Sequence, residues 1–208
     1  MKTSSVKTIT LFLAAVAALG AAPAQAADSG SWLVRARAVH IDPADKSDPV
    51  GGTGAADRIA VSGKTIPEVD ISYFFTPNLA AELVLTYPQK HTVYLDRKAI
   101  GTFRHLPPTL LAQYHFAPGN TVNPYVGVGV NWTTFSKNRL LNGGASLEHD
   151  SIGLALQAGA DVRLDDRWSL NFDVKKVQIR SDVLIGGAKA SRVKVDPVLF
   201  GAGFGYRF

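Results

Sequence analysis

Apolar and polar side chains along this chain alternate with a period of two, stretch after stretch. From residue 32 to 40, Trp32, Val34, Ala36 and Ala38 fall on one face, and Leu33, Arg35, Arg37 and Val39 on the other. Strand side chains point alternately to opposite faces, so this spacing predicts a β-strand and not a helix. The same pattern predicts strands over about 65–75, 79–87, 106–116, 124–135, 151–163, 168–175 and 197–208, eight in all. In each, one face is apolar while the other collects glycines, amides and charges. The last strand stays aromatic to its end: Phe204, Tyr206 and Phe208 share a face, opposite Gly201, Gly203, Gly205 and Arg207.

The connections decide what the apolar face meets. Those after the second, fourth and sixth strands are short, and those after the first, third, fifth and seventh are long and rich in Gly, Asp, Lys and Asn. Short turns on one side and long loops on the other are the outer-membrane pattern. A soluble barrel with a lipid-binding interior would turn its polar face outward. Against that, Trp32, Tyr73, Phe116, Trp168, Tyr206 and Phe208 all fall near the short-turn ends of their strands, where an aromatic girdle belongs. The predicted fold is therefore all-β: an eight-stranded antiparallel transmembrane β-barrel with short periplasmic turns and long extracellular loops.

The N-terminus fits export to that location. Lys2 and Lys7 precede the apolar run "ITLFLAAVAAL", and "AQA" supplies small residues for cleavage, so residues 1–26 read as a signal peptide and 27–208 as the barrel. The apolar run is short for a retained membrane helix, which needs about 20 residues. Cleavage would take Lys and Arg from 22 to 20 against 17 acids, and the net charge from +5 to +3. The remaining basic residues are dispersed, which argues against a nucleic-acid partner. There is no Cys, so neither a disulfide scaffold nor a lipidated cysteine is available.

Taken together, "WLVRARAVHIDP", "HLPPTLLAQYHF", "NPYVGVGVNWTTF", "QAGADVRLDDRWSLNFDV" and "VKVDPVLFGAGFGYRF" resemble, in this order, the OmpW family of small outer-membrane proteins, which includes the alkane-uptake protein AlkL. The resemblance covers most of the mature chain and matches least in the long loops. It implies a narrow, hydrophobic passage and traffic of small apolar solutes across the outer membrane. The terminal Phe204, Tyr206 and Phe208 resemble the signal read by the barrel insertion machinery. Outer-membrane lipids would be the surrounding partner.

Parity along the strands says what fills the lumen. Arg35, Glu82, Asp161, Arg163 and Arg207 face inward in the periplasmic half, where opposite charges need to pair. Val39, Val84, Leu111, Phe135 and Leu199 face inward nearer the outside and form either a packed layer or a lining for apolar ligand. Leu33 and Phe74 sit low, and Glu68, Asn131 and Thr133 sit high, so the partition is a tendency. Pro88, Pro107 and Pro108 meet at the outer rim; proline has no N–H for the ladder, so a lateral opening or a frayed rim is expected there.

Enzymatic function finds no support in motif. His40, His91, His105, His115 and His149 accompany no G-x-S-x-G elbow and no H-E-x-x-H metal pair, and no cofactor or metal is implied. The competing class is a closed barrel that displays its loops as a receptor, adhesin or structural protein.

Overall fold

The computed structural model describes residues 31–208, apart from the side chains at 137–139 and 142. The expected signal segment, residues 1–26, lies outside the described residues. In chain order the strands are β1 (Trp32–Asp42), β2 (Lys46–Ser47), β3 (Ile59–Val61), β4 (Lys64–Phe74), β5 (Leu79–Leu85), β6 (Gln89–Leu95), β7 (Lys98–Leu106), β8 (Thr109–His115), β9 (Val122–Leu140), β10 (Ala145–Leu147), β11 (Asp150–Arg163), β12 (Trp168–Val177), β13 (Arg180–Ile185), β14 (Ala188–Lys194) and β15 (Val198–Arg207). Eight of them run in the order β11-β12-β15-β1-β4-β5-β8-β9, and the pairing of β9 with β11 closes the ring. Closure leaves no edge, the condition for a sheet in lipid.

Register sets the girdle. Trp32 lies opposite Tyr73 with ring centroids 4.8 Å apart, and Trp168 opposite Tyr206 at 4.9 Å. Phe208 packs on Tyr206 at 4.9 Å, so the terminal ring completes one arc of the periplasmic rim. Above it, the outward face is apolar, with Val69, Leu83, Leu110, Val128, Leu154 and Phe172 all exposed. The band ends upward near His40, Tyr87, Trp132, Ile152 and Lys176, which we take as the outer membrane boundary.

The chain does not dissolve into loops beyond that boundary. Segments expected to be loops form seven further strands, chiefly the hairpins β6–β7 and β13–β14, which extend the barrel outward. Here the alternation keeps its period and inverts its meaning. Lys90, Thr92, Arg192 and Lys194 face out, while Val93, Phe103, Val183 and Val193 are buried inside. Below the boundary, lipid outside demands an apolar wall; above it, water outside demands an apolar core. The expected strand over 106–116 is also divided: Leu106 ends β7, and β8 begins at Thr109 after the two prolines.

Glycines close the barrel in two ways. Gly201 and Gly205 sit beside Arg37 and Arg35, with an added Cβ reaching Arg37 Cδ and Arg35 Cγ at 3.4 Å each, so they leave room for long side chains. Gly129 and Gly203 share the inward parity but meet the neighbouring backbone; a Cβ would overlap Leu110 O and Ala36 O respectively. Their role is close strand approach in a tightly coiled wall.

Candidate functional site

The lumen is divided into a charged floor and an apolar upper chamber. Register puts Arg35 opposite Asp70 and Arg37 opposite Glu68, and strand parity turns all four inward. Arg35 donates to both oxygens of Asp161 (3.0 and 2.7 Å), to Asp70 (3.2 Å), to Ser72 (3.0 Å) and to Glu82 (3.5 Å). Arg37 pairs with Asp70 at 2.7 Å and Glu68 at 3.0 Å, and Lys175 with Asp173 at 2.8 Å and Glu68 at 2.9 Å. Gln113 and Gln157 donate to Glu82 at 2.8 and 2.7 Å, and Gln157 also to Asp173 at 2.8 Å. Each cation thus holds at least two carboxylates, and the residues are buried throughout. An eight-stranded barrel is just wide enough for side chains to fill it, and these fill it.

Two of the expected floor residues stand apart. Arg163 has inward parity but lies exposed at the periplasmic mouth, beyond the last barrel layer, so it is not part of the buried network. Arg207 stacks its guanidinium over Phe74, 4.2 Å from the ring centroid, on the underside of the floor. Both line an open periplasmic cavity of about 590 Å³ with Leu33, Asp161 and Trp168.

Above the floor the five apolar residues expected inside are all buried in one cluster. Val39, Val84, Leu111 and Leu199 are packed as a layer on top of the charges. Only Phe135 of the five reaches the chamber above, which holds about 50 Å³ between Ile59, Val93, Phe103, Leu147 and Val183. So, of the two arrangements left open by the sequence, four of the five residues take the packed layer and form the base of the chamber; the barrel is too narrow there for packed side chains to leave a hole. The chamber lies in the extracellular extension, in segments whose strands were not anticipated.

The wall has a defect at the boundary between these layers. β5 pairs with β8 up to Val84↔Thr109, and the ladder resumes only at Gln89↔His105. On its other side β5 pairs with β4 as far as Val69↔Leu85, leaving Thr86, Tyr87 and Pro88 without a ladder partner on either flank. The backbone still reaches Pro108 O, through Trp132 N at 3.0 Å, and side chains add further bonds at the gap. Asn131 Nδ2 donates to Pro107 O and Pro108 O at 3.2 Å each, and Gln89 Nε2 donates to Tyr87 O at 2.8 Å. Pro67 on β4 adds a fourth proline beside the gap, with its carbonyl 3.4 Å from Thr86 Oγ1.

The family model for OmpW matches residues 28–208, the whole of the described barrel and its extension. The chain belongs to the OmpW family. Outer membrane protein W of Vibrio cholerae is 34% identical over 94% of this chain and 97% of its own length. The crystal structure of OprG from Pseudomonas aeruginosa superposes with a TM-score of 0.76 and 29% identity, covering 86% of this chain and 96% of OprG. AlkL, a protein of Ectopseudomonas oleovorans solved by solid-state NMR in lipid bilayers, has the same fold, with a TM-score of 0.70 and 24% identity over 90% of this chain and 95% of AlkL. This OmpW-family chain is accordingly an outer-membrane protein of the Gram-negative type.

Its extracellular hairpins carry their own electrostatics. Arg192 Nε donates to Asp182 at 2.6 Å and Lys189 lies 3.0 Å from the other oxygen; these donors hold the Asp182 carboxyl below its ordinary range. On the inner face of β6 and β7, His91 and His105 stack at 4.7 Å. Burial pushes the His105 imidazole down to about 3, reinforced by His91 and Lys64, and lowers His91 as well, so both rings are neutral.

Proposed function

We propose that this OmpW-family protein takes up small apolar molecules, receiving them in the extracellular chamber and releasing them sideways into the outer leaflet at the Pro88, Pro107 and Pro108 break. The observation that carries this reading is the stacking of an apolar chamber on a buried ionic floor. A solute descending the axis meets charges; a solute turning outward meets hydrocarbon. Each CH₂ moved from water to lipid is worth about 0.8 kcal/mol, which favours the outward turn. The resting chamber is too small for a medium-chain alkane, so entry requires the β6–β7 and β13–β14 hairpins to part.

The test is uptake of decane and of a small sugar by cells with and without the protein. The reading expects faster decane entry, unchanged sugar entry, and loss of the decane effect on Val93→Arg, which puts a charge into the chamber. No difference between the two kinds of cell for either solute would sink it and leave a closed barrel that displays its loops.

A further inference from the structure

One layer beneath the chamber, three buried polar atoms have no hydrogen-bond partner among the described residues: Gln89 Oε1, His91 Nε2 and His105 Nδ1. Their residues are 0%, 1% and 3% exposed. Such groups are seldom left unpaired in a folded chain. Register brings them together, since Gln89 faces His105 across the β6–β7 ladder and His91 follows Gln89 on the same face. They are also the first paired residues above the break in the wall, so they lie at its inner side.

The bonds these residues do make fix what the free atoms want. Gln89 spends its amide N–H groups on Tyr87 O and Thr86 Oγ1, leaving its oxygen as an acceptor. His91 Nδ1 lies 2.7 Å from Ser62 O and must donate to it, which leaves Nε2 as a bare acceptor. His105 makes no fixed bond at Nδ1 and serves as donor or acceptor according to tautomer. The set therefore asks for a group that donates and accepts at once.

Several ligand classes fail this requirement. A divalent metal would have to lie in the planes of both imidazoles, but the rings are stacked with only 11° between planes, and such planes share no point nearby. A carboxylate brings no donor to two acceptors, and neither does an ester. An ammonium group would enter the field of Lys64, which already acts against positive charge on both rings. A hydroxyl donates to Gln89 Oε1 or His91 Nε2 and accepts from His105 Nδ1–H.

We propose that Gln89, His91 and His105 form a head-group site for neutral long-chain alcohols, with the hydroxyl on these atoms and the chain directed through the wall break into lipid. This rests on the apolar uptake proposed above and names a substrate class for the same route. The probe is 1-decanol, with decane, methyl decanoate and decanoate as controls. The first readout is the ¹⁵N shift of the His91 and His105 rings in the full barrel in lipid nanodiscs. The second is uptake by cells, compared between wild type and Gln89→Leu/His91→Phe, the latter keeping an aromatic ring in the stack.

The site predicts a shift of His91 Nε2 with decanol alone, and a decanol-to-decane uptake ratio that falls about threefold to tenfold in the variant, the worth of one net hydrogen bond. Decane entry without any decanol shift or preference would overturn the site, water then serving the acceptors, and would leave the transport reading intact. A larger shift with decanoate than with decanol would overturn the alcohol assignment. A decanol shift without any decane entry would uphold the head-group site as a binding site and refute the transport reading.

Discussion

Arg35→Met asks how much the floor depends on its charges. The side chain is fully buried and holds Asp70, Glu82 and Asp161 through four hydrogen bonds of 2.7–3.5 Å, with a fifth to the Ser72 hydroxyl at 3.0 Å. Methionine fills similar volume but leaves these carboxylates short of a cation. Breaking a buried ion pair from one side costs about 3–5 kcal/mol, because an uncompensated charge stays behind. At 1.4 kcal/mol per decade, this lowers the folding equilibrium constant by roughly two to four decades. Urea unfolding in detergent micelles, read by the heat-modifiable mobility of the barrel, measures it. Arg35→Lys keeps the charge but loses the bidentate grip on Asp161, so it should fall between wild type and Arg35→Met. Removing both partners in Arg35→Met/Asp161→Leu should recover part of the loss. A cost for Arg35→Met below about 1 kcal/mol, with no recovery in the double variant, would refute the floor as a charge-held plug.

Gly129→Ala should cost about 1–3 kcal/mol by the same assay, since its Cβ overlaps Leu110 O, whereas Gly201→Ala, with contacts of 3.4 Å, should cost less than about 1 kcal/mol. Equal effects at both positions would contradict the close-approach argument. The Asp182 carboxyl, followed by ¹³C NMR, should titrate below the ordinary aspartate value. Its folded pKa is depressed, so what it adds to the β13–β14 hairpin is present above the unfolded value and lost as pH falls through the folded one. A titration at or above the ordinary value would disprove that pairing. Deleting Phe208 should reduce barrel assembly in cells while leaving refolding into detergent nearly unchanged; equal loss in both would make the residue a packing element and not a signal for the insertion machinery.

The transmembrane barrel was legible because lipid imposes a strict rule on every second residue, from Trp32–Ala38 in β1 to Phe204–Phe208 at the end. The floor was half legible. Arg35, Glu82 and Asp161 follow from parity; Arg37, Asp70, Asp173 and Lys175 share that inward parity but were not singled out, and only the register shows that they complete the network. The chamber was not legible. Its strands keep period two, but their polar face is outside, so "QKHTVYL" and "KAIGTFRHL" read as hydrophilic connections. Gln89, His91 and His105 lie in those segments, and although both histidines were weighed one by one, their meeting with Gln89 on one inward face went unseen for the same reason. Pro88, Pro107 and Pro108 fall where the ladder is interrupted, yet sequence spacing had no means of revealing that Asn131 and Gln89 bond to the carbonyls there.

The lateral route is tested most directly by decane uptake in cells making Pro88→Thr/Pro107→Val, normalised to folded barrel in the outer membrane. Strand-forming residues there restore N–H donors and allow β5 to run into β6 against β7 and β8. The account predicts that decane entry falls to the rate of cells lacking the protein. Entry at the wild-type rate through the sealed wall would contradict it.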